Sequence, residues 1–345
     1  MNKIAVYGAG SIGTVLGAFM ARAGLPVDLI CRNKAHVAAL KENGAIIEGT
    51  THFTIKVNAL EPDEMTDTYD IIFLATKTIG NNETVEKLKT VLAPDGVLCT
   101  IQNGLPEYDI ANIVGENRTL GCAIAWGAEL VSPGHCKLTS APDACTFSLG
   151  AITDNMSSKI SAVKKLLETM GPVDADDNFI GARWSKLLIN AAFSGLSAVT
   201  GNNFGEISDN KKSRLYAQYI IKECIAVGHA NSVKFAKVQG KDIVKLLNFS
   251  TKIKRRISFA IIPIAIKKHR SITASMLHDL KKGKPCEIDA INGAVSKTGK
   301  RLGVPTPYND AVVSIVKRIE KGELMPSTKN LDELAHIVPA LYFFK

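Results

Sequence analysis

Two groups of residues have the types and spacing that chemistry requires, one near the N-terminus and one on a later helix. Gly8-Ala9-Gly10-Ser11-Ile12-Gly13 follows the apolar run 3–7 (KIAVY) and opens a segment, 11–23, with helical spacing. A second apolar run, 26–31 (PVDLIC), comes next. Strand, turn, helix and strand in this order make a βαβ unit. In G-x-G-x-x-G the first glycine permits a tight turn, the second lets a pyrophosphate approach the backbone, and the third allows close helix–strand packing. The helix start adds unpaired N–H donors and a positive dipole end. Glycine-rich turns alone are common, but with both strands and the helix in place this one predicts a dinucleotide on Gly8, Ala9, Gly10, Ser11, Ile12 and Gly13.

The end of the second strand separates the two nicotinamide dinucleotides. An acidic residue there accepts hydrogen bonds from a ribose 2′-hydroxyl, whereas an arginine suits a 2′-phosphate. The chain reads Cys31-Arg32-Asn33, and Asp28 comes three residues too early. NADP is therefore expected, with an ordinary surface arginine as the plain alternative. Two further loops follow predicted strands, Ala75-Thr76-Lys77-Thr78 and Gln102-Asn103-Gly104. Lys77 is placed to meet a cofactor phosphate or ribose, and Asn103 to bond near the nicotinamide or the substrate. As isolated residues both are equally good turn-formers.

The second group is Lys186, Asn190 and Ser194, which recur every four residues and share one face of a predicted helix. A lysine and an amide on an otherwise apolar helix are costly to bury without purpose. The plain alternative is a lysine whose stem snorkels to water. Further on, Ser275-Met-Leu-His-Asp279 leads through a basic turn (KKGKP) to Glu287-Ile-Asp289-Ala-Ile-Asn292-Gly293. Acids in a first helical turn often merely cap it, and spacing does not choose among these.

Buried-strand runs at Ile71–Ala75, Val97–Gln102 and Leu120–Trp126 are separated by helical segments near 34–43, 82–92 and 105–114. Such alternation predicts a doubly wound α/β domain of Rossmann type, with a mostly parallel sheet. The stretch 127–150 reads as turns and short β segments. Beyond it the period changes to helical over 157–170, 178–201 and 210–231. Residues 287–302 place Ile288, Ile291, Val295, Thr298 and Leu302 on one face of a helix, and another spans 308–321. Two domains are expected, 1–175 for the dinucleotide and 176–345, mostly α-helical, for substrate and catalysis.

Composition excludes several classes. Hydrophobic residues are 46% and charged ones 22% of the 345, as in globular proteins rather than disordered ones. The longest apolar candidate for a span, Ile257 to Ile266, is about half what a membrane helix needs, so no membrane partner is expected. Met1-Asn2-Lys3 runs directly into a strand pattern, which predicts no signal peptide and a cytoplasmic protein. Seven cysteines, none in C-x-x-C or zinc spacing, read as reduced thiols, and no metal is expected. Charge is uneven: residues 1–175 carry 14 Lys+Arg against 19 Asp+Glu, and residues 176–345 carry 28 against 14. The plain reading of the basic half is solvated lysines on helix faces, and the alternative is a positive field that draws in an anionic cofactor and substrate. With aromatics at 6% and no reading motif, specific nucleic-acid binding is not expected.

Taken together, these motifs resemble the ketopantoate reductase family along nearly the whole chain. The glycine turn with Arg32, Thr76-Lys77, Gln102-Asn103-Gly104, W-x-K-x-x-x-N at Trp184–Asn190, and S-M-x-x-D followed by E-I-D-x-x-N-G occur in the family's order. The glycine turn is shared with many dehydrogenases, whereas the last two motifs are far more specific. The resemblance implies NADPH reduction of 2-dehydropantoate to pantoate, a step towards pantothenate and coenzyme A. It implies Lys186 as proton donor, Asn190 as substrate ligand, and Ser275 as holder of the substrate carboxylate. Glu287 would contact cofactor and support the lysine, Asn103 would touch both ligands, and Ala128 would approach the nicotinamide through its backbone. Two positions depart from the family: Ser194 and Phe204 stand where asparagines are frequent, which opens the identity of the keto acid. Asn202 and Asn203, beside Phe204, are candidates to substitute. Rival readings are a paralogue for another 2-keto acid, a 3-hydroxyacid dehydrogenase of the same superfamily, and a non-catalytic NADP-binding regulator. A homodimer is compatible with all of them.

Overall fold

A computed structural model describes residues 3–238 and 240–337. The chain divides into two compact units, Met1–Phe179 and Ile180–Lys345. In the first, strands β1 (Ile4–Tyr7), β2 (Val27–Ile30), β3 (Ala45–Gly49), β4 (Phe53–Ile55), β5 (Asn58–Leu60), β6 (Tyr69–Leu74), β7 (Leu92–Thr100), β8 (Thr119–Ile124), β9 (Ala128–Ser132), β10 (His135–Leu138), β11 (Phe147–Ala151) and β12 (Val173–Ala175) form two sheets. Helices α1 (Ser11–Arg22), α2 (Lys34–Asn43), α3 (Asn81–Val91), α4 (Glu107–Val114) and α5 (Ser157–Leu167) connect them. The larger sheet has the order β12-β11-β8-β7-β6-β1-β2-β5. Every neighbouring pair in it is parallel except β11 with β8.

Alternation along β1 shows why its residues are all apolar. Ile4 and Val6 join one core cluster with Val15 and Leu16 of α1, while Ala5 and Tyr7 join another with Val85 and Leu88 of α3. A parallel strand covered on both faces has no side to give to polar residues. The fold is the doubly wound, Rossmann-type architecture that the alternation predicts. One addition is the smaller sheet, β4-β3-β10-β9, which packs on α1. Its central pairing joins β3 to β10 in parallel, with Ile46 opposite His135.

The second unit is helical. It contains α6 (Phe179–Thr200, whose first residue falls in the other unit), α7 (Phe204–Asp209), α8 (Lys211–Ala230), α9 (Ile243–Leu247), α10 (Lys252–Ala265), α11 (Ser275–Lys281), α12 (Asn292–Leu302), α13 (Pro307–Glu320) and α14 (Leu331–Ala335). The helix expected over 287–302 is broken: a short 3-10 turn at Ile288–Ala290 precedes α12, and Ile291 has φ −104° and ψ −88°. The break lets Asn292 sink its side chain, donating to the Ala191 carbonyl at 3.0 Å and to Asn309 Oδ1 at 3.0 Å. Asn309 is tied in turn to Glu223, which is fully buried and accepts the backbone N–H groups of Tyr308 and Asn309, both at 2.9 Å. That carboxylate caps α13, meeting two of the N–H groups a helix start leaves unpaired.

All seven cysteines are free thiols. Among the described residues no helix is long and apolar enough to cross a membrane, and no cluster of side chains is suited to a metal ion.

Candidate functional site

In the first unit the strand order reverses at β1, with β6 on one side and β2 on the other. Tyr7 lies beside Leu74, and Leu74 beside Thr100, so the loops that follow β1, β6 and β7 emerge together. This is the crevice where doubly wound sheets take their ligands. Gly8 has φ +99°, and a Cβ on it would lie 2.5 Å from the Thr76 amide nitrogen. The glycine turn therefore presses directly on the loop after β6. A Cβ on Gly13 would lie 2.5 Å from the Gly8 oxygen, which is the close helix–strand approach expected of the third glycine. At Gly10 a Cβ would meet nothing within 4 Å. No side chain caps α1 there, and its first turn carries no acid. Open space before an uncapped, acid-free helix start fits a dinucleotide pyrophosphate.

Gln102 joins two of the loops. It is buried, donates to Asn81 Oδ1 at 2.9 Å and to Thr76 Oγ1 at 3.3 Å, and accepts from Thr100 Oγ1 at 3.0 Å. Asn103, half-buried, is thus presented by a braced turn that ends at Gly104 with φ +82°. Lys77 is exposed in the loop after β6.

Arg32 is exposed at the end of β2, and no acidic side chain among the described residues pairs with it. Its charge reaches Tyr7 at the end of β1: burial pushes that phenol up, and Arg32 opposes the shift. Neighbouring lysines do have partners, Lys34 with Glu61 and Lys41 with Glu64. Asp28 is occupied, one oxygen accepting from Asn58 Nδ2 and the other from the Tyr69 hydroxyl, both at 2.7 Å. It serves the sheet, in keeping with its early position. Ala128 opens β9 on the smaller sheet, opposite Leu138.

One residue that sequence reasoning missed is His36 of α2, only 1% exposed. Its ring nitrogens reach Thr14 of α1 at 3.0 Å and the Gly134 amide, at the β9–β10 turn, at 2.9 Å. Nothing local in the sequence pairs His36 with a glycine 98 positions away.

In the second unit, α6 is buried at most positions, and Lys186, Asn190 and Ser194 are all half-buried. Ala182 and Ile189 adjoin them on the partly open side, while Leu187, Leu188 and Ala191 face the core. The three polar residues therefore share the accessible stripe of an otherwise enclosed helix. Two other segments attach to α6. The Ala274 N–H donates to Ser197 Oγ at 3.4 Å, which sets the start of α11 and the exposed Ser275. Asn292, through the Ala191 carbonyl, holds the segment that begins at Glu287, itself 8% exposed. A Cβ on Gly195 would lie 2.6 Å from Asn292 Oδ1, so the helix needs a glycine where this segment docks.

The two departures also have structural accounts. Phe204 is buried and packs on Phe193, ring centroids 5.4 Å apart. Asn203 is no substitute for an asparagine there, because its side chain caps α7 in a capping box with Glu206.

Known proteins agree with this architecture. Residues 4–151 match the family described as Ketopantoate reductase PanE/ApbA, and residues 178–320 match its C-terminal part, Ketopantoate reductase PanE/ApbA C terminal. A 2-dehydropantoate 2-reductase of Mesorhizobium japonicum is 27% identical, covering 93% of this chain and 99% of the relative. One of Pyrococcus horikoshii is also 27% identical, covering 92% and 97%. The crystal structure of a PanE/ApbA family ketopantoate reductase from Ralstonia eutropha matches with a TM-score of 0.77 at 26% identity, over 93% of this chain and 99% of that one. A D-mandelate dehydrogenase with NADH and anilino(oxo)acetate shares the fold, with a TM-score of 0.79 at 23% identity. With both family regions matched in order, the chain belongs to the ketopantoate reductase family of oxidoreductases.

Proposed function

We propose that this protein reduces a small 2-keto acid with NADPH, and that ketopantoate is the substrate. The observation that carries the reading is the half-buried stripe of Lys186, Asn190 and Ser194 on an otherwise enclosed α6. When bound, NADPH supplies a hydride to the keto carbon. The residues do the rest. The glycine turn and the start of α1 take the pyrophosphate, Arg32 the 2′-phosphate, and Lys77 a neighbouring phosphate or ribose oxygen. Asn103 bonds near the nicotinamide, and Ala128 approaches it through backbone. The Lys186 ammonium stabilises the charge that develops on the carbonyl oxygen, then gives that oxygen a proton from Nζ. Asn190, Ser194 and Ser275 orient the substrate carboxylate and hydroxyl groups. Glu287 supports the lysine and contacts cofactor. A non-catalytic regulator has no use for this proton donor, and the Ser275–Gly293 block argues against a 3-hydroxyacid dehydrogenase.

A second reading is a different 2-keto acid. Ser194 is shorter than the frequent asparagine and Phe204 is apolar, so the substrate side has lost amide groups. A structural neighbour that is a D-mandelate dehydrogenase makes an aromatic 2-keto acid the specific alternative. Purified protein assayed with NADPH and NADH against ketopantoate, phenylglyoxylate and branched aliphatic 2-keto acids separates these. Fastest turnover with ketopantoate supports the first reading, and preference for another acid selects the second. No cofactor oxidation with any of them sinks both.

A further inference from the structure

His36 connects three segments to which the proposed function assigns the cofactor. Its backbone N–H donates to the capping Asn33 Oδ1 at 3.2 Å, at the turn that carries Arg32. Its Nδ1 accepts the Gly134 N–H at 2.9 Å, within the hairpin whose first strand begins at Ala128. Because Nδ1 accepts, a neutral imidazole carries its hydrogen on Nε2, which then donates to Thr14 Oγ1 at 3.0 Å. Thr14 passes its own hydroxyl hydrogen to the Ala9 carbonyl, 3.2 Å away, inside the glycine turn. One directional chain of hydrogen bonds thus runs from the β9–β10 turn through His36 and Thr14 to the phosphate-facing backbone. Burial holds the imidazole below its ordinary value of 6.5, which favours the neutral form this chain needs.

We propose that the His36 imidazole is a positioning group of the cofactor site, fixing the Thr14 hydroxyl and, through it, the Ala9 carbonyl of the glycine turn. The proposal rests on the reading that this turn holds a dinucleotide. An ordinary core histidine would contribute stability alone. A positioning histidine contributes through a particular atom, the Nε2–H that orients Thr14. Gln presents an N–H near the place of Nε2, whereas Asn presents an acceptor near the place of Nδ1.

The test uses the full chain carrying His36→Gln, His36→Asn, His36→Ala or Thr14→Val. NADPH binding is followed by fluorescence, and hydrogen–deuterium exchange of the free protein is read over the peptide spanning Gly8–Gly13. Loss of one buried hydrogen bond that orders a binding turn corresponds to about tenfold in affinity. Thr14→Val, His36→Asn and His36→Ala are expected to weaken NADPH and raise its KM by that order. Their kcat at saturating cofactor should stay within about twofold of wild type, since a uniform binding loss spares kcat. Exchange in the glycine turn should quicken in the same three. His36→Gln should bind and exchange like wild type, and it remains testable if the alanine variant fails to fold. The proposal is overturned if Thr14→Val and His36→Asn match wild type, or if His36→Gln loses as much as His36→Asn. Wild-type protein that binds neither NADPH nor NADH would take down the functional reading instead, and exchange in the free protein would still decide for or against His36.

Discussion

Lys186 and Arg32 carry separable parts of the proposed reaction, and each can be removed alone. Replacing Lys186 with Met keeps an unbranched stem against α6 and deletes the ammonium. General acid catalysis is typically worth about 10²- to 10⁴-fold, so Lys186→Met should lower kcat by that order and leave the NADPH dissociation constant unchanged. Near-normal turnover on the best keto acid would mean that another group donates the proton. At Arg32 the expectation concerns preference. A charge-assisted contact to a 2′-phosphate contributes about 1.5–3 kcal/mol, so NADPH should be favoured over NADH by at least about tenfold. Arg32→Ala should erase most of that preference and leave NADH kinetics nearly unaltered, while equal use of both cofactors by the wild type would contradict the assignment. His36 adds a pH dependence with a fixed sign. Its pKa is lowered on folding, so the unfolded chain binds the extra proton and stability is fully present above 6.5, declining as pH falls below it. Thermal unfolding should show wild type losing stability relative to His36→Gln as pH falls below 6.5, and a pH-independent difference would contradict that sign.

Elements were legible where a period ran uninterrupted. The run PVDLIC could be read as a strand because every residue of β2 is buried, and α6 because its polar residues return every four positions. The break before α12 was not legible, since the apolar spacing across 287–302 continues through it. What decides there is tertiary: the Ala191 carbonyl and Asn309 Oδ1 draw the Asn292 side chain inward. The run Ile257–Ile266 shows the same limit from the other side. It makes up most of α10 and its C-cap, but only Ile262 and Ile266 of its isoleucines are buried, while Ile257 and Ile264 are 53% and 70% exposed. Hydrophobicity alone does not tell which face of a helix meets the core. The Glu223 carboxylate is an element-scale anchor that no motif announces. Glu223→Ala would leave two α13 amides and the Asn309 side chain without their acceptor, at about 3 kcal/mol by the usual cost of buried unsatisfied groups. Urea denaturation should show an unfolding free energy lower by that amount, and a loss under about 0.5 kcal/mol would show that α13 is held otherwise.

At the scale of the whole molecule, charge is the feature with a consequence in solution. The C-terminal half carries 28 basic residues against 14 acidic ones, and no base-reading motif accompanies them. Duplex DNA should therefore bind weakly, without sequence preference, and be released as salt rises. Tight, sequence-selective binding at physiological salt, measured by fluorescence anisotropy, would add a function that the reductase reading does not contain.

The sequence by itself determined the fold class and the family, because both rest on local order. Glycines follow a strand, an arginine follows the next, and a lysine and an asparagine lie one helical turn apart. Such relations need only the periods of strand and helix and the geometry of a tight turn. The parallel pairing of β3 with β10, the Gln102 brace and the chain from Gly134 through His36 to Ala9 were decided by tertiary structure alone. They join residues far apart in sequence, through pairings and side-chain hydrogen bonds that leave no periodic trace. A buried polar group must find a partner wherever the fold brings one, and only the folded chain shows which partner that is.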